Sequence, residues 1–175
     1  VDRKTEPTGT PKVFTYGIDL LKKGEDTNTV LKEVEFKLTD GNNEIKVKQS
    51  GDAYYPSKDA DASSTVTTDD EGKIYIRGLK PGTYKLTETK TNAGYVLLKD
   101  SVMIEIKADN ATGEAEAFVG SKPVTMQNDQ KNSDSKTAEV PLTVVNSKGF
   151  NLPVTGGRGI ALFTIAGIAI VAAAG

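Results

Sequence analysis

Gly72-Lys73-Ile74-Tyr75-Ile76-Arg77-Gly78-Leu79-Lys80-Pro81-Gly82-Thr83-Tyr84-Lys85-Leu86-Thr87-Glu88 is the stretch that decides the fold. Lys73–Arg77 and Tyr84–Glu88 each alternate apolar and polar residues, the period of half-buried strands. Lys80-Pro81-Gly82 between them is turn chemistry, with Pro presetting φ and Gly accepting positive φ. Working outward, the same alternation recurs in Phe14–Lys22, Val34–Leu38, Val102–Ile106 and Val140–Asn146. Asp40-Gly41-Asn42 and Asp70-Glu71-Gly72 supply further turns. No segment before Gly159 carries a helical period. Residues 13–149 are therefore expected to form an all-β, Ig-like antiparallel sandwich. The polar stretches Gln49–Ser64 and Met126–Ala138 are expected to be surface loops.

Composition narrows the function. The chain has 175 residues, net charge −2, and neither Cys nor His. A near-neutral chain lacks the basic face a nucleic-acid binder needs. Without Cys there is no disulfide and no thiolate; without His the commonest general base and metal ligand is missing. No enzyme with turnover, no cofactor and no metal site is expected. Asp59, Asp61, Asp69, Asp70 and Glu71 match no calcium-loop spacing and are assigned to turns. Residues 1–12, with Pro7 and Pro11, have the composition of an interdomain linker. Lacking an initiating Met and a signal peptide, the chain is expected to be part of a longer exported protein.

Strand parity places three polar side chains on apolar faces. Tyr16, Ile18, Leu20 and Lys22 share one side of a strand; Tyr84, Leu86 and Glu88 share another; Val140, Leu142, Val144 and Asn146 a third. Burying Lys, Glu and Asn unpaired is costly. Two resolutions follow from the residues. One is a hydrogen-bonded Lys–Glu pair near a strand end with an ordinary Asn nearby. The other is chemical: a desolvated, neutral Lys22 amine attacks the Asn146 amide carbon while Glu88 carries protons, and ammonia leaves. A β-bulge would exchange Lys22 for Lys23; parity favours Lys22.

These residues also resemble a family. Leu31-Lys32-Glu33-Val34-Glu35-Phe36 is similar to the LxGAxF strand of CnaB-type domains, and Gly72–Tyr84 to their most recognisable stretch. Leu86-Thr87-Glu88-Thr89-Lys90-Thr91-Asn92-Ala93-Gly94-Tyr95 resembles the pilin E-box, usually ETKAPxGY, with Thr91-Asn92 replacing Ala-Pro. The chain thus resembles the last, CnaB-type domain of LPXTG-anchored Gram-positive major pilins of the SpaA/SpaH type. That resemblance implies a Lys22–Asn146 isopeptide bond formed with Glu88 as the catalytic acid.

The C-terminal end adds a second resemblance. Residues 150–158 form a tether around Leu152-Pro153-Val154-Thr155-Gly156, followed by Arg158 and an uncharged apolar run, 159–175. This order is similar to a cell-wall sorting signal. As a helix the run would rise about 25 Å, near the roughly 30 Å hydrocarbon core, so a membrane-spanning helix is expected over 159–175. The resemblance implies a sortase that cleaves after Thr155 and joins its acyl group to an amine. The partners implied are the sortase, neighbouring pilin subunits or a peptidoglycan precursor, and the membrane before sorting. The expected place is the cell surface, as a pilus shaft subunit. The alternative is a wall-anchored adhesin or ancillary pilin that binds a host ligand.

Overall fold

A computed structural model describes residues 13–26, 29–129 and 138–149, and the backbone of 160–165 and 168–173. In chain order the strands are β1 (Tyr16–Gly24), β2 (Glu35–Asp40), β3 (Asn43–Glu44), β4 (Val47–Ser50), β5 (Ala53–Pro56), β6 (Thr65–Thr67), β7 (Lys73–Leu79) and β8 (Gly82–Lys90). They continue as β9 (Val102–Ala108), β10 (Ala115–Val119), β11 (Lys122–Val124), β12 (Gln127–Asn128), β13 (Ala138–Asn146), β14 (Ile160–Ile165) and β15 (Ile168–Ala173). No helix occurs among the described residues.

Two sheets form the sandwich. One is ordered β15-β14-β13-β1-β7-β5-β4, with β12 also on β13; the other is ordered β11-β10-β9-β8-β2-β3, with β6 also on β2. Alternation does the sorting. Ile18, Leu20, Ile74, Ile76, Val140, Leu142 and Val144 point inward from the first sheet, and Phe36, Leu38, Leu86, Ile104 and Ile106 from the second. Each buried side chain of this size contributes about 1.5–3 kcal/mol of transfer free energy. The deciding stretch behaves as expected, β7 and β8 being separated by Lys80-Pro81, although they lie in different sheets.

Two expectations are corrected. The sandwich is not wholly antiparallel: β1 pairs in parallel with β13, and β5 with β7. No hairpin joins either pair, so nothing forces the direction to reverse. The two polar stretches are not merely loops: the first contains β5 with buried Ala53, and the second contributes β12 and buried Asp129. Within the run 159–175, Ile160–Ile165 and Ile168–Ala173 form a hairpin on β13. The free edge of β13 presents unpaired backbone groups, and an apolar β-branched segment can satisfy its own groups there. Among the described residues no helix is long and apolar enough to cross a membrane. The linker 1–12 and the sorting residues Leu152, Pro153, Val154, Thr155 and Gly156 lie outside the described residues.

Candidate functional site

The parallel pairing of β1 with β13 sets the site. Its register matches Lys22 with Val144 and Gly24 with Asn146, so Lys22 and Asn146 stand near the same end of two adjacent strands. Glu88, near the end of β8, reaches them from the facing sheet. All three side chains are buried: Lys22 and Asn146 are 0% exposed and Glu88 3%. Lys23, the alternative donor, is only partly buried.

The three converge on one carboxylate. Lys22 Nζ lies 3.6 Å from Glu88 Oε1. It also approaches the carbonyl oxygens of Val144 (3.4 Å) and Lys23 (3.5 Å). Asn146 Nδ2 donates to both Glu88 oxygens at 3.0 Å. The backbone N–H of Leu98 donates to Glu88 Oε2 at 2.8 Å. Burial pulls the Lys22 ammonium down to about 8, although the charge and hydrogen bond of Glu88 pull the other way. Desolvation disfavours the charged amine more than one shared carboxylate can offset. Chemically this is an amine whose proton is loosened, an amide, and a carboxyl touching both.

Two features were hard to see in the chain. The Thr91-Asn92 departure from the pilin pattern enters the site: Asn146 Nδ2 donates to Thr91 Oγ1 at 2.9 Å. Asn92 Nδ2 donates to the Lys32 carbonyl at 2.9 Å and ties this corner to the stretch before β2. The loop after β8 also closes over the site. Val96 N–H donates to Ser147 O (2.9 Å) and Gly149 N–H to Gly94 O (2.8 Å). Tyr95 and Lys148 both hold Asp26, and the Tyr95 ring lies so close to Gly24 that a Cβ there would meet it at 2.5 Å.

Glycine at 72 is demanded from the other side. Its φ is +73°, and a Cβ would come within 2.8 Å of the Lys22 carbonyl oxygen. Its own carbonyl accepts from Lys22 N–H at 2.7 Å. The Asp70-Glu71-Gly72 turn therefore fixes the backbone that carries the amine.

A second charged cluster lies on the other face of the first sheet. Lys73 pairs with Asp19, which also accepts from Gln127 Nε2 at 2.9 Å. Arg77 grips Asp129 with Nε (2.6 Å) and Nη2, and its Nη2 is 3.5 Å from Glu139 Oε1. Lys73 and Arg77 flank the Tyr75 ring at 5.2 and 5.6 Å. Burial, then the surrounding carboxylates, push the Tyr75 phenol up to about 12. Among the described residues no group of three or more His, Cys, Asp or Glu could hold a metal.

The SpaA prealbumin-like fold domain matches residues 17–119, a span that includes Lys22 and Glu88 and stops before Asn146. No curated protein matches the chain. Among solved structures, GBS52, the minor pilin of Streptococcus agalactiae, is 27% identical, with a TM-score of 0.52 over 82% of this chain and 49% of its own. A streptococcal ancillary pilin is 19% identical (TM-score 0.51, 91% of this chain and 50% of that one). A variant of BcpA, the major pilin subunit of Bacillus cereus, is 17% identical (0.52, 85% and 37%). The last two are alike in fold, and the chain spans half or less of each relative's length.

Proposed function

Because this chain belongs to the SpaA prealbumin-like fold domain family, we propose that it is part of a structural subunit of a sortase-assembled Gram-positive pilus, stabilised by a self-formed Lys22–Asn146 isopeptide bond. The observation that carries this reading is the convergence of buried Lys22 and Asn146 on Glu88, between the first and last strands of the domain. Glu88 takes a proton from Lys22, and the neutral amine attacks Asn146 Cγ. The carboxyl then protonates Nδ2 and recovers a proton from the attacking nitrogen. The Cγ–Nδ2 bond breaks, ammonia leaves, and an amide joins Nζ to Cγ. The gain in rate is that of two reactants held on one carboxylate. Intact mass one ammonia below the sequence mass supports the bond; an unshifted mass in folded protein refutes it.

Joining to other subunits is assigned to Leu152-Pro153-Val154-Thr155-Gly156, with Thr155 as the acyl donor to a sortase. Residues 159–175 would hold the precursor at the membrane, where a lone apolar segment can satisfy its backbone only as a helix. A second reading is an ancillary or wall-anchored subunit that binds a host ligand. It is favoured by the 27% identity to a minor pilin. An immunoblot of wall extract separates the two. A high-mass ladder indicates a shaft subunit, and a single anchored species indicates the ancillary role.

A further inference from the structure

Asn146 Nδ2 has three hydrogen-bond acceptors around it: Glu88 Oε1 and Oε2 at 3.0 Å and Thr91 Oγ1 at 2.9 Å. A carboxamide nitrogen carries only two hydrogens. Asn146 Oδ1, by contrast, is buried with no hydrogen-bond partner among the described residues. The site is thus richer in acceptors at the nitrogen than the ground-state amide can use. The mismatch disappears in one species. When Nζ has added to Cγ and Nδ2 has taken a proton, the departing nitrogen carries three N–H groups and a positive charge.

We propose that Thr91 is a further catalytic residue for the Lys22–Asn146 reaction, its hydroxyl oxygen accepting a hydrogen bond from the departing nitrogen as ammonia forms. The proposal rests on the crosslink reading above. A group matched to the transition state better than to the starting amide accelerates the chemical step, and hydrogen bonds to charged groups are the stronger ones. The atoms balance as already given. Nζ, starting as the ammonium, gains the bond to Cγ and gives two protons in turn to the Glu88 carboxyl, the second of which stays there. Nδ2 gains one proton from it and leaves as ammonia. Thr91 is unchanged, lending a lone pair throughout. It also holds the amide nitrogen on the Glu88 side in the ground state, where the proton is delivered.

The test times bond formation in the full 175-residue chain. Protein recovered unfolded from inclusion bodies, and so unreacted, is refolded by dilution into mild detergent. Aliquots are quenched in acid, and the loss of one ammonia is followed by intact mass. T91V keeps the shape and removes the acceptor; T91A is a second acceptor-free variant, and T91S restores the hydroxyl. Circular dichroism checks that each variant has folded. Wild type should lose one ammonia, with T91V and T91A at least about tenfold slower and T91S within about threefold of wild type, as expected for one hydrogen bond to a charged group. Folded T91V reacting at the wild-type rate, or T91S as slow as T91V, overturns the role of Thr91 and leaves the crosslink standing. A wild-type chain that never loses ammonia overturns the crosslink itself.

Discussion

The two faces of the first sheet bury charge in opposite ways. On the inner face, Lys22 has one carboxylate, and it shares that carboxylate with an amide and a backbone N–H. On the outer face, Arg77 has two carboxylates, Asp129 in a two-pronged grip and Glu139 beyond it. Burial lowers both cations' affinity for a proton. For Lys22 it wins, and the ammonium falls to about 8; for Arg77 the hydrogen bond and charge of Asp129, aided by Glu139, win, and the guanidinium is held more firmly. On the proposed reaction the inner arrangement prepares a nucleophile, while the outer one ties together β7, β13 and the segment after β12. What separates them is how many anionic oxygens each cation has to itself.

The largest break in this comparison is Glu88→Gln. It leaves Lys22 without its proton acceptor, so the mass should stay at the sequence value. Losing a link that closes a loop of roughly 120 residues should cost about 4–5 kcal/mol, seen as a fall in Tm on the order of 15 °C. A mass still reduced by one ammonia would remove Glu88 from the mechanism. On the outer face, Arg77→Met removes a cation from beside two buried carboxylates and should cost about 3 kcal/mol in denaturant unfolding. The ammonia loss should nevertheless go to completion, since Arg77 holds Asp129 and Glu139 while Lys22 meets Glu88. If Arg77→Met also blocks the mass change, the faces are coupled and the contrast fails.

Gly72→Ala sharpens the inner site. A left-handed residue with a Cβ pressed on the Lys22 carbonyl should cost about 2 kcal/mol of stability and slow ammonia loss, because β1 must shift to make room. The smallest effect is in pH. The reaction needs the Lys22–Glu88 pair to carry one proton, first shed by the amine and then handed to Nδ2. Above pH about 8 Lys22 loses that proton to solvent. The rate should therefore fall about tenfold per pH unit above that point, or about 1.4 kcal/mol per unit. A rate that climbs through pH 8 would indicate that a free amine suffices and that Glu88 carries no proton.

Lys22, Glu88 and Asn146 were legible because a strand has a strict period of two, so an inward Ile18 or Val144 commits the residue two or four places on. The Lys80-Pro81-Gly82 turn was legible for a similarly local reason. Strand partners were not. Nothing within β1 or β13 says that they lie side by side in parallel, because that choice depends on the layout of the whole sandwich. Thr91 was passed over because it follows β8, where alternation no longer assigns faces. Asp129 read as loop because its polar neighbours hide that its carboxylate is the partner of Arg77, 52 positions earlier.

The parallel register of β1 and β13 has a mechanical consequence. β1 is entered at Tyr16 and β13 is left at Asn146, so the two chain ends depart from opposite ends of one strand pair. Tension between them drags the strands lengthwise and loads their ladder all at once, instead of peeling it bond by bond. With an amide from Lys22 to Asn146, the taut path is β1 alone. The roughly 120 residues between would be slack that is never paid out, a hidden length of about 400 Å at full extension. The sandwich would then act less as a link in a chain than as a closed ring hung on a short rod.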